Sequence, residues 1–293
     1  MAGCLSQAVS HLHLGELVAA RTLLGGHPDP AHAPADFWSA LFPPLRLACL
    51  GLALTYLGYI DQARSQMGEA LSLGRRTRTP HVLAQVLMGA SWLDLTTGSP
   101  LGHAEELLAL STEQKFPRWL GWALAFRGVS LAALGQSEEA FALLTQALTQ
   151  LRAIGDIVGM PRLLAWLANV SAMLGRPSEA WNYLAEAAQL VEATDERISE
   201  AEVLHRMPGD LLKAAGDRAG AERHYRQAIT VAERQSAKVF QLRASSSLAR
   251  LWRDQGNRAE ALDLLAPIYN WFTEGFDARD LKEAKALLEE LTP

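Results

Sequence analysis

Six short segments of this chain fall into register on a glycine: YLGYIDQA, TTGSPLGHA, ALGQSEEA, MLGRPSEA, AAGDRAGA and DQGNRAEA. The glycines are Gly58, Gly98, Gly135, Gly175, Gly216 and Gly256, separated by 40, 37, 40, 41 and 40 residues. Five residues on stand Ala63, Ala140, Ala180, Ala221 and Ala261, with Ala104 six on in the second segment, and HLGELVAA supplies an earlier partial copy with Gly15 and Ala20. A fixed period of this length constrains the fold more than any composition does. Each copy is one supersecondary unit that cannot bury its apolar face alone, so copies must stack.

The register extends both ways. Seven residues before each glycine lies a small residue: Gly51, Ser91, Gly128, Ala168, Gly209 and Ala249. Four residues before it are Leu54, Asp94, Leu131, Ser171, Leu212 and Trp252, mostly large. Beyond the alanine come Met67, Leu108, Leu144, Leu184, Tyr225 and Leu265, then Ala70, Ser111, Ala147, Ala187, Ala228 and Ile268. Spacings of three, four and seven place these residues on one face of each of two helices. Small residues allow close helix approach, and the glycine ends the first helix in a left-handed conformation. Asp61, Ser137 and Asp217 are candidate caps of the second helices, and Pro177 suits a first turn. Pro80, Pro117 and Pro161 punctuate junctions between units. Pro208 and Pro267 fall inside helices and predict a kink or short break. No segment sustains the alternation of a strand.

These positions resemble the tetratricopeptide repeat, with a period near 40 rather than roughly 34. The expected fold is an all-α, right-handed α-solenoid. Residues 1–44 form a partial repeat and a loop, GGHPDPAHAPADFWSALFPP; residues 45–280 form six helix hairpins; residues 281–293 form an amphipathic cap. The phrases KFPRWLGWALAFRGVSLAALGQSEEA, GDRAGAERHYRQAITVAERQSAKVFQLRASSSLARLWRDQG and LLAPIYNWFTEGFD are similar to the C-terminal region of bacterial adenylate/guanylate cyclase–ATPase signalling proteins. The resemblance implies a regulatory or interaction region, with a cyclase or ATPase domain among the possible partners. The catalytic parts of such proteins have no counterpart here, because the sequence contains no G-x-x-x-x-G-K-[ST] phosphate loop.

Other chemistry is thinly supported. The net charge of −5 gives no reason to expect nucleic-acid binding. The stretch Leu47–Ile60 is too short to span a bilayer, and MAGCLSQAVSHLHLGE lacks a basic leader, so a cytoplasmic chain is expected. Cys4 and Cys49 suit free thiols. His27 and His32, with Asp29 and Asp36, are the best metal candidates, but solvated loop histidines explain them as well, and no metal or cofactor is expected. His11, His13, His205 and His224 suit structural roles, and GRRTRT at 74–79 suits either an exposed junction or an acidic partner. The carboxylate pairs Glu105–Glu106, Glu138–Glu139 and Glu289–Glu290 read as solvated helix surface, so no enzyme is expected.

Function is expected where first helices turn away from their packed partners, three, six, ten and thirteen residues before the glycine. That set contains Met88, Trp92, Leu95, Trp122 and Val129 in the second and third units. In the fourth to sixth it contains Arg162, Asn169, Arg206, Asp210, Lys213, Arg243, Arg250 and Arg253. The expected groove is aromatic at one end and basic at the other, suited to a protein or peptide with a hydrophobic anchor and an acidic end. Buried tryptophans and solvated arginines are the alternative, and a small effector or an oligomerisation scaffold are competing uses of the array.

Overall fold

A computed structural model of the chain describes residues 2–26, 37–98 and 102–292, and in these it is helical throughout, with no strand. The helices run as antiparallel pairs: α1 (Ala2–His13) with α2 (Leu17–Gly25), α3 (Phe37–Leu57) with α4 (Ile60–Arg76), α5 (Pro80–Thr97) with α6 (Gly102–Glu113), and α7 (Pro117–Ala133) with α8 (Ser137–Ala153). Next come α9 (Met160–Met173) with α10 (Pro177–Thr194) and a π-helical turn (Ala201–Arg206) running into α11 (Met207–Ala214), which pairs with α12 (Arg218–Arg234). The series ends with α13 (Lys238–Arg253), α14 (Arg258–Trp271) and α15 (Arg279–Leu291). No helix among the described residues is long and apolar enough to cross a membrane.

The repeat register accounts for each pair. Gly15, Gly58, Gly98, Gly135, Gly175, Gly216 and Gly256 all have φ between 71° and 95°. That left-handed region costs a glycine nothing and strains any residue with a Cβ. Ala20, Ala63, Ala104, Ala140, Ala180, Ala221 and Ala261 are at most 1% exposed. Helices approach closely at the small residues seven before the glycine. A Cβ on Gly209 would meet the Tyr225 ring at 2.7 Å, and one on Gly128 would meet Leu144 at 2.9 Å.

Several expectations need correction. Of the three candidate caps only Asp217 caps a helix, its carboxylate accepting from the Gly220 N–H at 2.8 Å; Asp61 and Ser137 lie within the first turns of α4 and α8. In α6 the buried position is Leu107, three beyond Ala104, while Leu108 is half-exposed. The expected loop through Pro44 gives way to helix from Phe37, with Pro43 and Pro44 inside α3. Proline's fixed φ is compatible with a helix, and what it forfeits is a hydrogen-bond donor. His27, Asp29, His32 and Asp36 lie outside the described residues. Pro267 leaves α14 continuous. Before Pro208 the helix widens instead of breaking: the Met207 N–H reaches back five residues to the Glu202 carbonyl.

The chain divides into two compact units. The first comprises residues 1–55 and 60–157; the second comprises residues 158–293 together with Tyr56–Tyr59. The first is centred on aromatic packing: the Trp92 ring meets Phe126 edge-on at 5.1 Å and lies 6.0 Å from Trp122. The second holds a core of Ala221, Tyr225, Leu248 and Leu251, flanked by Leu212 and Trp252. Cys4 and Cys49 are both free, and burial pushes the Cys49 thiol up to about 12.

Candidate functional site

The residues expected to line a groove divide between the two units. In the first, Trp122 is 0% exposed and Trp92 8%, so both belong to the core and cannot present an aromatic surface. Their payload of apolar area is already spent on Phe126 and on each other. Met88, Leu95 and Val129 are half-buried. The aromatic half of the expected groove is therefore corrected to interior packing.

In the second unit the polar positions do come together, in a different electrostatic state from the one expected. Glu202, on the π-helical turn, is buried and accepts two hydrogen bonds from Arg206, from Nε at 2.7 Å and Nη2 at 3.0 Å. Arg243 of α13 approaches the same carboxylate to 3.7 Å. Burial pushes the Glu202 carboxyl up, but Arg206, Arg243 and Arg162 together outweigh it and hold the group below the usual carboxylate range. Arg206 also donates to Asp210 at 2.6 Å, and Asp210 accepts from the Tyr225 hydroxyl at 2.8 Å. Burial, then the Asp210 charge, raises the Tyr225 hydroxyl, which therefore stays protonated and donating. Arg243 donates to Asp280 of α15 at 2.7 Å.

One edge of this network is aromatic. Arg162 of α9 donates to the Ser199 and Tyr56 hydroxyls, each at 2.8 Å. Its guanidinium carbon lies 5.3 Å from the Tyr56 ring centre and 5.8 Å from that of Phe240. Ring faces and hydroxyls thus hold this planar cation in one orientation.

The other edge is a set of ion pairs at the ends of the first helices. Lys213 pairs with Asp254 at 3.2 Å, Arg250 with Glu283 at 3.1 Å, and Arg253 with Asp254 at 2.9 Å and Glu290 at 2.6 Å. The expected basic end is therefore corrected: α15 carries Asp280, Glu283 and Glu290 alongside the arginines and neutralises them. The sequence spacing contained that signal, since Asp280 and Glu290 follow Arg243 and Arg253 by 37 positions, one repeat period less about one helical turn. Asn169 stands apart and exposed, its amide 3.8 Å from Met173 Sδ.

Glu202 was missed for a structural reason, and Ser199 lies beyond the positions counted back from Gly216. Residues ahead of Pro208 are displaced by the additional residue of the π turn, so the register counted back from Gly216 assigns the position to Val203, which is buried. A proline within a first helix was the only sequence signal. π-helical turns concentrate at functional sites, and this one positions the central carboxylate. The basic cluster GRRTRT, in the first unit, is an exposed helix end whose Arg75 pairs with Glu106 at 2.8 Å.

Solved structures with the same architecture include a Rap protein complexed with competence and sporulation factor, at 14% identity and TM-score 0.59, with 99% of each chain covered. NprR in complex with its cognate peptide NprX matches at 13% identity and TM-score 0.61, over 99% of this chain and 82% of that one. The apo form of RapI matches at 12% identity and TM-score 0.58, over 99% and 98%. At these identities the likeness establishes the fold. Among curated proteins, none matches the chain in sequence. The model of the MalT-like TPR region matches residues 41–291, and the chain belongs to that family.

Proposed function

We propose that this chain is a non-catalytic scaffold that binds a peptide or protein segment on the first-helix face of its second unit, through an acidic group that engages Arg162, Arg206 and Arg243. One observation carries this reading: the half-buried charge network around Glu202. An array that needed only to stack would fill such positions with apolar groups, as the first unit does with Trp122. Partly buried ion pairs cost desolvation that hydrophobic packing does not. Their retention here is accounted for by a partner that exchanges carboxylates with them. NprR in complex with its cognate peptide NprX, and a Rap protein complexed with competence and sporulation factor, support the same use of the fold. The similarity to cyclase–ATPase signalling proteins supports a place as the regulatory region of such a protein, with its catalytic domain as a partner. The cage of Tyr56, Phe240 and Arg162 favours a second reading, in which the ligand is a small anionic effector.

The test is selection from a random peptide library on the purified chain, followed by calorimetric titration of the selected peptides. Peptides with an acidic residue are expected, and Arg162→Ala should weaken them at least tenfold while circular dichroism shows the array still folded. Failure to select any peptide, or indifference to Arg162→Ala, overturns the assignment. Displacement of the peptides by a small anionic metabolite supports the second reading, and ATP turnover by the purified chain overturns both.

A further inference from the structure

A second recess lies in the same unit, lined by α12, α13 and α14 and distinct from the network around Glu202. It encloses about 300 Å³. One wall is apolar, made by Ile229, Leu264, Pro267, Ile268 and Trp271; the other is polar, made by Glu233, Lys238, Gln241 and Ser245. The volume sits at the lower end of the ~300–1,000 Å³ typical of ligand pockets. It holds one side chain and its flanking polar groups.

The polar wall has a definite direction. Lys238 Nζ donates to Gln241 Oε1 at 2.8 Å, and Gln241 Nε2 donates to Glu233 Oε1 at 2.8 Å. An amide thus bridges an ammonium and a carboxylate, its oxygen toward the cation and its N–H toward the anion. A backbone peptide group carries the same acceptor and donor at the same separation as a glutamine side-chain amide. Neither charged group is saturated by this bridge. An ammonium has three donors and a carboxylate about four acceptor positions, so each can engage a second amide beside Gln241. The two charges cancel, which disfavours phosphates and metal ions and favours a neutral, polar group.

The apolar wall supplies the other half of the recognition. Trp271 is 37% exposed and carries the Lys238 ammonium 5.4 Å from its ring centre, so its indole borders both walls. Pro267 contributes a rigid ring and no backbone donor that would need a partner. Ser245 is 2% exposed and closes the polar side.

We propose that this recess is a separate recognition site for a peptide unit bearing an apolar side chain. The peptide C=O accepts from Lys238, its N–H donates to Glu233, and the side chain lies on Ile229, Leu264 and Trp271. The assignment does not depend on the acidic-partner reading above, because none of these residues belongs to that network.

The probe is N-acetyl-L-leucine methylamide, titrated into the full chain with ligand-detected NMR. For a ligand of this size, saturation with a Kd on the order of 1 mM is expected. N-acetylglycine methylamide, which keeps the peptide groups and lacks the side chain, should bind at least tenfold more weakly. Glu233→Ala and Lys238→Met should each weaken the leucine probe about fivefold, with circular dichroism and melting temperature unchanged. Because Glu233 is exposed, its variant tests the site even if the Lys238 variant is impaired. Arg162→Ala should leave the probe's affinity unaltered, separating this site from the network around Glu202. Equal binding of the glycine probe, preference for free leucine, insensitivity to Glu233→Ala, or no saturation at about 50 mM overturns the proposal.

Discussion

Trp122 in the first unit and Arg162 and Arg243 in the second occupy one register position, thirteen residues before their glycines. Trp122 is entirely buried among aromatic rings, whereas both arginines are half-buried and hydrogen-bonded. The side chain placed at that register position thus decides how the space around it is used. An indole closes it. A guanidinium keeps it polar and obliges neighbouring elements to provide acceptors, here Ser199, Tyr56, Glu202 and Asp280. Repeats that share the turn glycine and the buried alanine diverge in such positions.

The comparison can be broken most severely in the first unit. Trp122→Ala removes the largest fully buried side chain and is expected to cost about 3–5 kcal/mol in chemical denaturation. A cost below about 1 kcal/mol would mean that the indole is not an essential plug. Next is Glu202→Ala in the second unit, expected to cost about 3 kcal/mol, because Arg206 and Arg243 keep their burial and lose their shared carboxylate. A neutral outcome would show that Asp210 and Asp280 suffice to hold both arginines. At the exposed end of the same face, Arg250→Ala and Arg253→Ala should each change stability by only about 0–1 kcal/mol. Larger effects would show that the terminal ion pairs hold α15 in place.

The packing scaffold was legible in the sequence because it repeats. The seven glycines and seven alanines each perform one task, and repetition separates them from background. The site was less legible because it rests on departures from the repeat. Asp280, Glu283 and Glu290 belong to a cap helix that reads as a solvated amphipathic end, and only a shared separation of 37 ties two of them, Asp280 and Glu290, to Arg243 and Arg253. Glu202 was hidden by the additional residue of the π turn, which breaks the count from Gly216. The tryptophans were misassigned because helix periodicity marks a face without saying how deeply it is covered. Trp122 shows the limit: its neighbours Trp92 and Phe126 cover a face that counting alone leaves open.

The smallest expected effect is pH dependence, because histidines of the two units act in opposite directions. In the first unit His103 bonds to Asp94 at 2.7 Å, and this bond, against some desolvation, raises the imidazole above its ordinary value. Its stabilisation is fully present below the unfolded value of about 6.5 and is lost as pH rises through the higher folded value. In the second unit His205 and His224 lie with ring centres 6.2 Å apart, each with a buried Nδ1 that makes no hydrogen bond. Desolvation lowers both; Arg234 and His224 add to the effect at His205 against Glu200, and Arg223 adds to it at His224. The unfolded chain then binds protons that the folded unit does not, so stability falls as pH drops below about 6.5. The full chain should therefore be most stable near neutrality, with a shallow decline on each side. His103→Gln should flatten the alkaline decline alone, and His205→Gln with His224→Gln the acidic decline alone, in melting temperatures followed from pH 5 to 9. An acidic decline between pH 6.5 and 5 that survives the double substitution would overturn its assignment to His205 and His224, because the Glu202 carboxyl, held below the usual carboxylate range, loses its stabilising charge only at lower pH.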